Sequence, residues 1–264
     1  MQYSAVIQGP IYTGSTHLQL NNLIQTEIFS EIIISTWGGE LSNLKISFPI
    51  KNVKLKLIEN KLPENLGNGN RNAQILSSRC GMLQTDKDSD HVMKMRSDQI
   101  FSSSSIEKMV RFYNDNYNYD DTIFTLGMYS AFPFHPRDHL FLGERNSLLK
   151  LFAIPLDENI KVNHPNYNEL LRAETYIGSY YYALEHQIYS QNMDIYKFIN
   201  NPLEYLVDNA PLKNEAMKIY DKYRLENRIF RPFPRIDFQW PKYGLSSYHW
   251  HIGEQHSEYW HEEK

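Results

Sequence analysis

The sequence predicts an α/β fold, an open mixed sheet flanked by helices, with a helical, aromatic-rich C-terminal region. Three observations predict it. Short apolar runs alternate with helix-period segments through the first hundred residues, the signature of strand–helix–strand units. One of those runs, Ile32-Ile33-Ile34, is continuously apolar, as expected of a strand covered on both faces. A chain of 264 residues, 41% hydrophobic, is long enough for one sizeable core.

The elements follow in order. Ala5-Val6-Ile7-Gln8 is a strand that stops at Gly9-Pro10. Residues 18–28 carry Leu18, Leu20, Leu23, Ile24 and Ile28 at helical spacing. Residues 31–37 form a buried strand ending at Gly38-Gly39, and 52–58 a third strand. A Gly/Asn loop at 65–70 leads into a helix over 71–84, and His91 to Arg96 is a strand closing at Ser97-Asp98. The serine run 102–105 reads as a loop or helix N-cap before a helix over 106–114. Strands are expected at 122–128 and 138–142 and a short helix at 148–152. A long tyrosine-rich helix follows at 168–189, with shorter ones at 193–199, 202–207 and 212–223. The last forty residues, rich in proline, aromatics and histidine, read as irregular. The division expected is a core over 1–165 and a C-terminal region over 166–264, packed on it as one domain.

Bulk properties narrow the function. A formal net charge of -4 offers no strong positive field, which argues against a general nucleic-acid partner. Cys80 is the one cysteine, so no internal disulfide forms. No signal-peptide pattern is visible at the N-terminus and no run of about 18 apolar residues occurs. The expectation is a cytoplasmic protein.

In open α/β sheets ligands bind at the carboxyl ends of strands. Three such ends stand out: Gln8-Gly9-Pro10, Thr36-Trp37, and Arg96-Ser97-Asp98. Each alone reads as a turn, packing or a cap; together they describe a rim for a base, a ribose and a diphosphate. A carboxylate such as Asp98 can hold a divalent cation (Mn2+ or Mg2+) that bridges a diphosphate. Arg96, two residues earlier in an extended chain, lies on the same face and can grip a phosphate, although a structural Arg–Asp pair fits equally. Asn70, Arg71 and Gln74 cluster at a helix start, where anions are favoured, or on a solvated helix face. Asp138 and Glu174 are the candidate general bases, each also able to form a structural pair with a neighbouring arginine. His249, His251, His256 and His261 have no zinc-like spacing, but His249 and His251 are candidate ligands of a donor-bound metal.

The runs Val6-Ile7-Gln8-Gly9-Pro10 and Ile32-Ile33-Ile34-Ser35-Thr36-Trp37 resemble the opening of the WavE-type lipopolysaccharide-synthesis family. Asn70-Arg71-x-x-Gln74-x-x-Ser77-Ser78, Lys94-x-Arg96-Ser97-Asp98, Asp138-x-x-Phe141-x-Gly143 and Ala173-Glu174-x-Tyr176 continue it in order, over roughly residues 5–180. The resemblance implies a GT-A-like glycosyltransferase of bacterial surface-polysaccharide synthesis (capsule or lipopolysaccharide). It would use a nucleotide-sugar donor, a glycan or lipid-linked acceptor, and peripheral contact with the inner membrane. It places Gln8, Gly9, Pro10, Thr36 and Trp37 by the nucleotide and Asp98 at the metal-binding aspartate motif. Here Arg96-Ser97-Asp98 stands where that family has Asp-x-Asp, which puts the metal requirement in question. Two alternatives stay open: a non-catalytic polysaccharide- or partner-binding module, and a sugar phosphotransferase.

Overall fold

A computed structural model describes residues 1–50, 52–117, 121–128, 134–157, 173–184, 210–226, 229–241 and 245–250. The strands are β1 (Tyr3–Gln8), β2 (Phe29–Trp37), β3 (Lys54–Asn60), β4 (His91–Arg96), β5 (Ile100–Phe101), β6 (Ile123–Thr125), β7 (Leu140–Glu144), β8 (Phe230–Pro232), β9 (Ile236–Trp240) and β10 (Leu245–Trp250). The described helices are α1 (Ser15–Gln25), α2 (Arg71–Leu83), α3 (Ser103–Asn116), α4 (Arg145–Phe152), α5 (Ala173–Leu184) and α6 (Ala210–Leu225).

Seven strands form the main sheet in the order β3-β2-β1-β4-β7-β6-β8. The first four run parallel, β7 is antiparallel to both β4 and β6, and β8 is parallel to β6. This is the open mixed sheet flanked by helices that the sequence predicts. A smaller antiparallel sheet, β10-β9-β5, stands beside it.

Alternation along the strands divides the core into two layers. Val6, Ile33, Val92 and Phe141 pack with Ile75 and Met82 of α2, Leu148 and Leu151 of α4 and Ile177 of α5. Ala5, Ile7, Ile32, Ile34, Met93 and Met95 pack on the other face with Leu20 and Leu23 of α1 and Ile106, Met109 and Tyr113 of α3. Helix α3 starts inside the serine run, because the Ser102 hydroxyl caps it by accepting a hydrogen bond from the Ser105 amide at 3.1 Å.

Several elements differ from expectation. Helix α1 begins at Ser15 and stops at Gln25, with Glu27 at φ 54 turning the chain towards β2. Strand β6 is confined to Ile123–Thr125. The described part of the tail is not irregular: residues 230–232 complete the main sheet, and 236–240 and 245–250 build the smaller one. Pro232 is accommodated because β8 is an edge strand, where a missing N–H costs no ladder bond. The pattern Ile236-Asp237-Phe238-Gln239, apolar residues buried and polar ones exposed, carries the period-two signal that the surrounding prolines obscure. The helices expected at 193–199 and 202–207 lie outside the described residues. No helix among the described residues is long and apolar enough to cross a membrane.

Candidate active site

The carboxyl ends of β1, β2 and β4 open onto one cleft of about 380 Å³, closed on one side by the start of α2. That volume falls in the range of about 300–1,000 Å³ usual for small-molecule sites. Gln8, Gly9, Pro10, Trp37, Arg96 and Asp98 all line it. Gly9 sits at φ 116, a conformation that L side chains rarely adopt, and a Cβ there would lie 2.8 Å from the Ser97 hydroxyl. The chain can therefore turn from β1 directly against the end of β4. Gln8 is fixed from below by the Ser77 hydroxyl of α2, which donates to its Oε1 at 2.7 Å.

Period-two geometry separates Thr36 from Trp37. Trp37 shares the cleft-facing side with Ser35, whereas Thr36 turns to the opposite face and donates its hydroxyl to Glu40. Glu40 also accepts from the Ile11 amide at 3.0 Å, and so pins the loop after β1. Thr36 thus shapes the cleft without lining it. Helical geometry separates Arg71 from its neighbours in the same way. Asn70 and Gln74, one turn apart, line the cleft with Ala73. Arg71 is rotated inward and buried, with its guanidinium 4.8 Å from the Tyr176 ring and 3.4 Å from the Asp157 carboxylate.

A charged array forms the cleft floor. Arg96 donates from Nε and Nη2 to the two Asp98 oxygens at 3.0 and 2.9 Å, and from Nη1 to Asp138 Oδ2 at 3.2 Å. Trp240, at the end of β9, adds its indole N–H to Asp98 Oδ2 at 3.1 Å and its ring face to Arg96 at 5.4 Å. Gln74 donates to the same Asp138 oxygen as Arg96. Asp138 itself is fully buried and off the cleft wall.

Glu174 reaches Asp138 because α5 approaches closely. A Cβ on Gly178 would overlap the Phe134 carbonyl, so only glycine lets the helix lie there. Glu174, four residues earlier, shares that face. The His135 ring and the Thr175 hydroxyl, paired at 2.7 Å, secure the same contact. The two carboxyls are hydrogen-bonded and their titrations diverge. Burial, then the Asp138 charge, push Glu174 up to about 8. Burial would also raise Asp138, but Arg96 and Lys94 more than offset it and hold the carboxyl well below the usual range. Burial opposes ionisation of Asp98 too, and Arg96 and Trp240 overcome it. At neutral pH, Asp98 and Asp138 are ionised and Glu174 carries a proton.

A divalent cation does not fit the donors on view. Both Asp98 oxygens are already engaged by Arg96 and Trp240, and a full positive charge stands beside them. Among the described residues no three histidine, cysteine, aspartate or glutamate side chains are grouped to hold a metal. His251 and the side chain of His249, the other two expected ligands, lie outside the described residues. Sequence reasoning missed Tyr12, Glu40, Leu62 and Leu66 on the wall, Trp240 above Asp98, and Lys94 beneath Asp138. Only Trp240 carried a signal, as an aromatic ending an alternating run.

No family model matches the chain, and no curated protein matches it. The WavE-type resemblance therefore stands on the motifs quoted above. Solved structures do resemble it in shape. Mouse xyloside xylosyltransferase 1, in its apo form, has a TM-score of 0.41 at 8% identity, covering 88% of this chain and 85% of that one. A 4-diphosphocytidyl-2C-methyl-D-erythritol synthase from Anaerococcus prevotii gives 0.39 at 12% identity, covering 77% and 98%. HddC from Yersinia pseudotuberculosis gives 0.36 at 11%, covering 61% and 83%. Likenesses this distant assign no activity and no residue roles to this chain.

Proposed function

We propose that the chain is an inverting glycosyltransferase that moves a sugar from a nucleotide-sugar donor to a glycan or lipid-linked acceptor in bacterial capsule or lipopolysaccharide synthesis. The reading includes a cytoplasmic location with peripheral contact at the inner membrane, and an acceptor side completed by residues 166–264. The observation that carries it is the convergence of three distant strand ends on one cleft, where Trp37 and Tyr12 share the wall with Arg96, Asn70 and Gln74. Aromatic faces suit a planar base, and the uncapped start of α2 suits a diphosphate. The WavE-type motifs add support from the sequence.

In this reading the acceptor hydroxyl gives its proton to a carboxylate and its oxygen bonds to the anomeric carbon. The bond from that carbon to the diphosphate breaks, and the nucleoside diphosphate leaves with the electron pair. Arg96 stabilises the leaving group, and no step is assigned to a metal. Glu174 is the better base of the two carboxylates, because both stand behind the cleft wall but Glu174 is less deeply buried than Asp138, and its proton comes off near the working pH. Turnover then rises with pH through about 8 and is lost in Glu174→Gln.

Calorimetry with a panel of nucleoside diphosphates, with and without manganese, tests the reading. Binding of at least one of them supports it, and loss of donor turnover in Asp98→Ala ties the cleft to catalysis. The full engagement of Asp98 by Arg96 and Trp240 favours a second reading, a non-catalytic polysaccharide-binding module. Glycan binding with no affinity for any nucleotide would select that one.

A further inference from the structure

Strand β4 carries a lysine where a core residue belongs. Lys94 is fully buried and lies between Val92 and Arg96 on the face packed against α2, α4 and α5. Its ammonium donates to the Asp138 backbone carbonyl at 2.7 Å and lies 5.5 and 5.7 Å from the Phe141 and Phe152 ring centroids. A buried cation is costly unless its charge is balanced and its hydrogens are used. Aromatic faces and one carbonyl supply part of that, and a nearby carboxylate must supply the rest.

We propose that Lys94 is a positioning residue of the cleft: its sealed ammonium anchors the Asp138 carbonyl and provides the second positive charge that balances Asp98 and Asp138 around Arg96. This rests on the reading of the cleft as a donor site only for its functional consequence. Among the groups that act on Lys94 the charges balance: Lys94 and Arg96 are positive, Asp98 and Asp138 negative, and Glu174 protonated, while Arg137 stands farther off beside His139. The groups facing Lys94 are Asp138 from the segment before β7, Arg96 and Asp98 at the end of β4, and Glu174 from α5. Behind them, Arg71 of α2 acts on Glu174, and His139 faces Asp138 but is neutral, driven down to about 3 chiefly by burial. Burial draws Lys94 itself down to about 8, with Asp138 opposing the fall, so the ammonium persists at pH 7.

Remove Lys94 and the array is one charge negative, which repels a diphosphate and tightens the hold of Asp138 and Glu174 on their shared proton. Infrared titration of the full chain, with carbon-13 in the Asp and Glu carboxyls, reads that proton directly and needs no nucleotide. In wild type the Glu174 carboxyl band is expected to titrate near 8, raised chiefly by burial beside Asp138. In both Lys94→Met and Lys94→Gln it moves up by at least about one pH unit, the scale expected for loss of one neighbouring buried charge. An unmoved band in a folded variant overturns the proposal, and Gln retaining the wild-type titration would show that a hydrogen bond, not a charge, is what matters.

If neither variant folds, nitrogen-15 lysine NMR on the wild-type protein decides. A slowly exchanging ammonium below pH 8 is expected, and its absence overturns the proposal, since a neutral amine supplies no charge. Binding of uridine, cytidine, guanosine and adenosine diphosphates to the folded variant at pH 7 should weaken by on the order of tenfold. A shifted carboxyl band in a protein that binds none of them would refute the transferase reading while leaving the placement of Lys94 intact.

Discussion

The two faces of β4 are built by alternate residues of one six-residue strand, and they do opposite things. Met93 and Met95 point towards α1 and α3 into a layer of aliphatic and aromatic side chains. Val92, Lys94 and Arg96 point the other way, and the apolar packing gives way within two positions to a sealed ammonium and then to a guanidinium at the cleft. Burial on the first face is a matter of area removed from water and is forgiving of detail. On the second it is a matter of closed charge balance, where every group depends on the others. The cleft floor is held in place by electrostatics and its scaffold by packing.

Asp138→Ala should break the charged face most severely. Arg96 loses one of its two carboxylates and Lys94 loses its nearest counter-charge, and deleting one partner of a buried array costs about 3–5 kcal/mol. Urea unfolding measures it, and a loss below about 1 kcal/mol would mean that the array is not coupled. Met93→Ala probes the other face. A fully buried methionine truncated to alanine should cost about 3 kcal/mol while nucleotide affinity stays unchanged. A large change in affinity would show that the two faces communicate.

The effect of Glu174→Gln on stability depends on pH. The folded value, about 8, stands above the ordinary 4.5. The favourable contribution of the protonated group is therefore complete below about 4.5 and is lost as pH rises through about 8. The variant escapes that loss and should gain on wild type by up to a few kcal/mol between pH 5 and pH 9, at about 1.4 kcal/mol for each pH unit by which the group is raised, read as the difference in thermal unfolding at each pH. A constant difference across that window would mean that Glu174 does not titrate there.

Much of this architecture was legible in the chain. The boundaries of β4 and the start of α2 coincide with the pattern, because hydrophobic period and a Gly/Asn breaker both mark them. Gln8, Trp37 and Asp98, expected on one rim, do line one cleft. Strands β8 and β9 were hidden because short strands flanked by Pro232, Pro234 and Pro241 lack the length that makes a period visible. Lys94 was hidden for a different reason. It falls on the buried side of an alternating strand, where a lysine contradicts the pattern unless its partners are known, and those partners lie on other elements.

By itself, the sequence determined which segments are strands and helices in the parallel half and which small and polar residues close them, since these follow from local periodicity and turn chemistry. Tertiary structure alone decided that Arg96 lies between Asp98 and Asp138, that Thr36 and Arg71 turn away from the cleft, and that Glu174 keeps its proton. Those outcomes depend on residues far apart in the chain meeting in a medium of low polarity, where the energy of each charge is set by its neighbours in space.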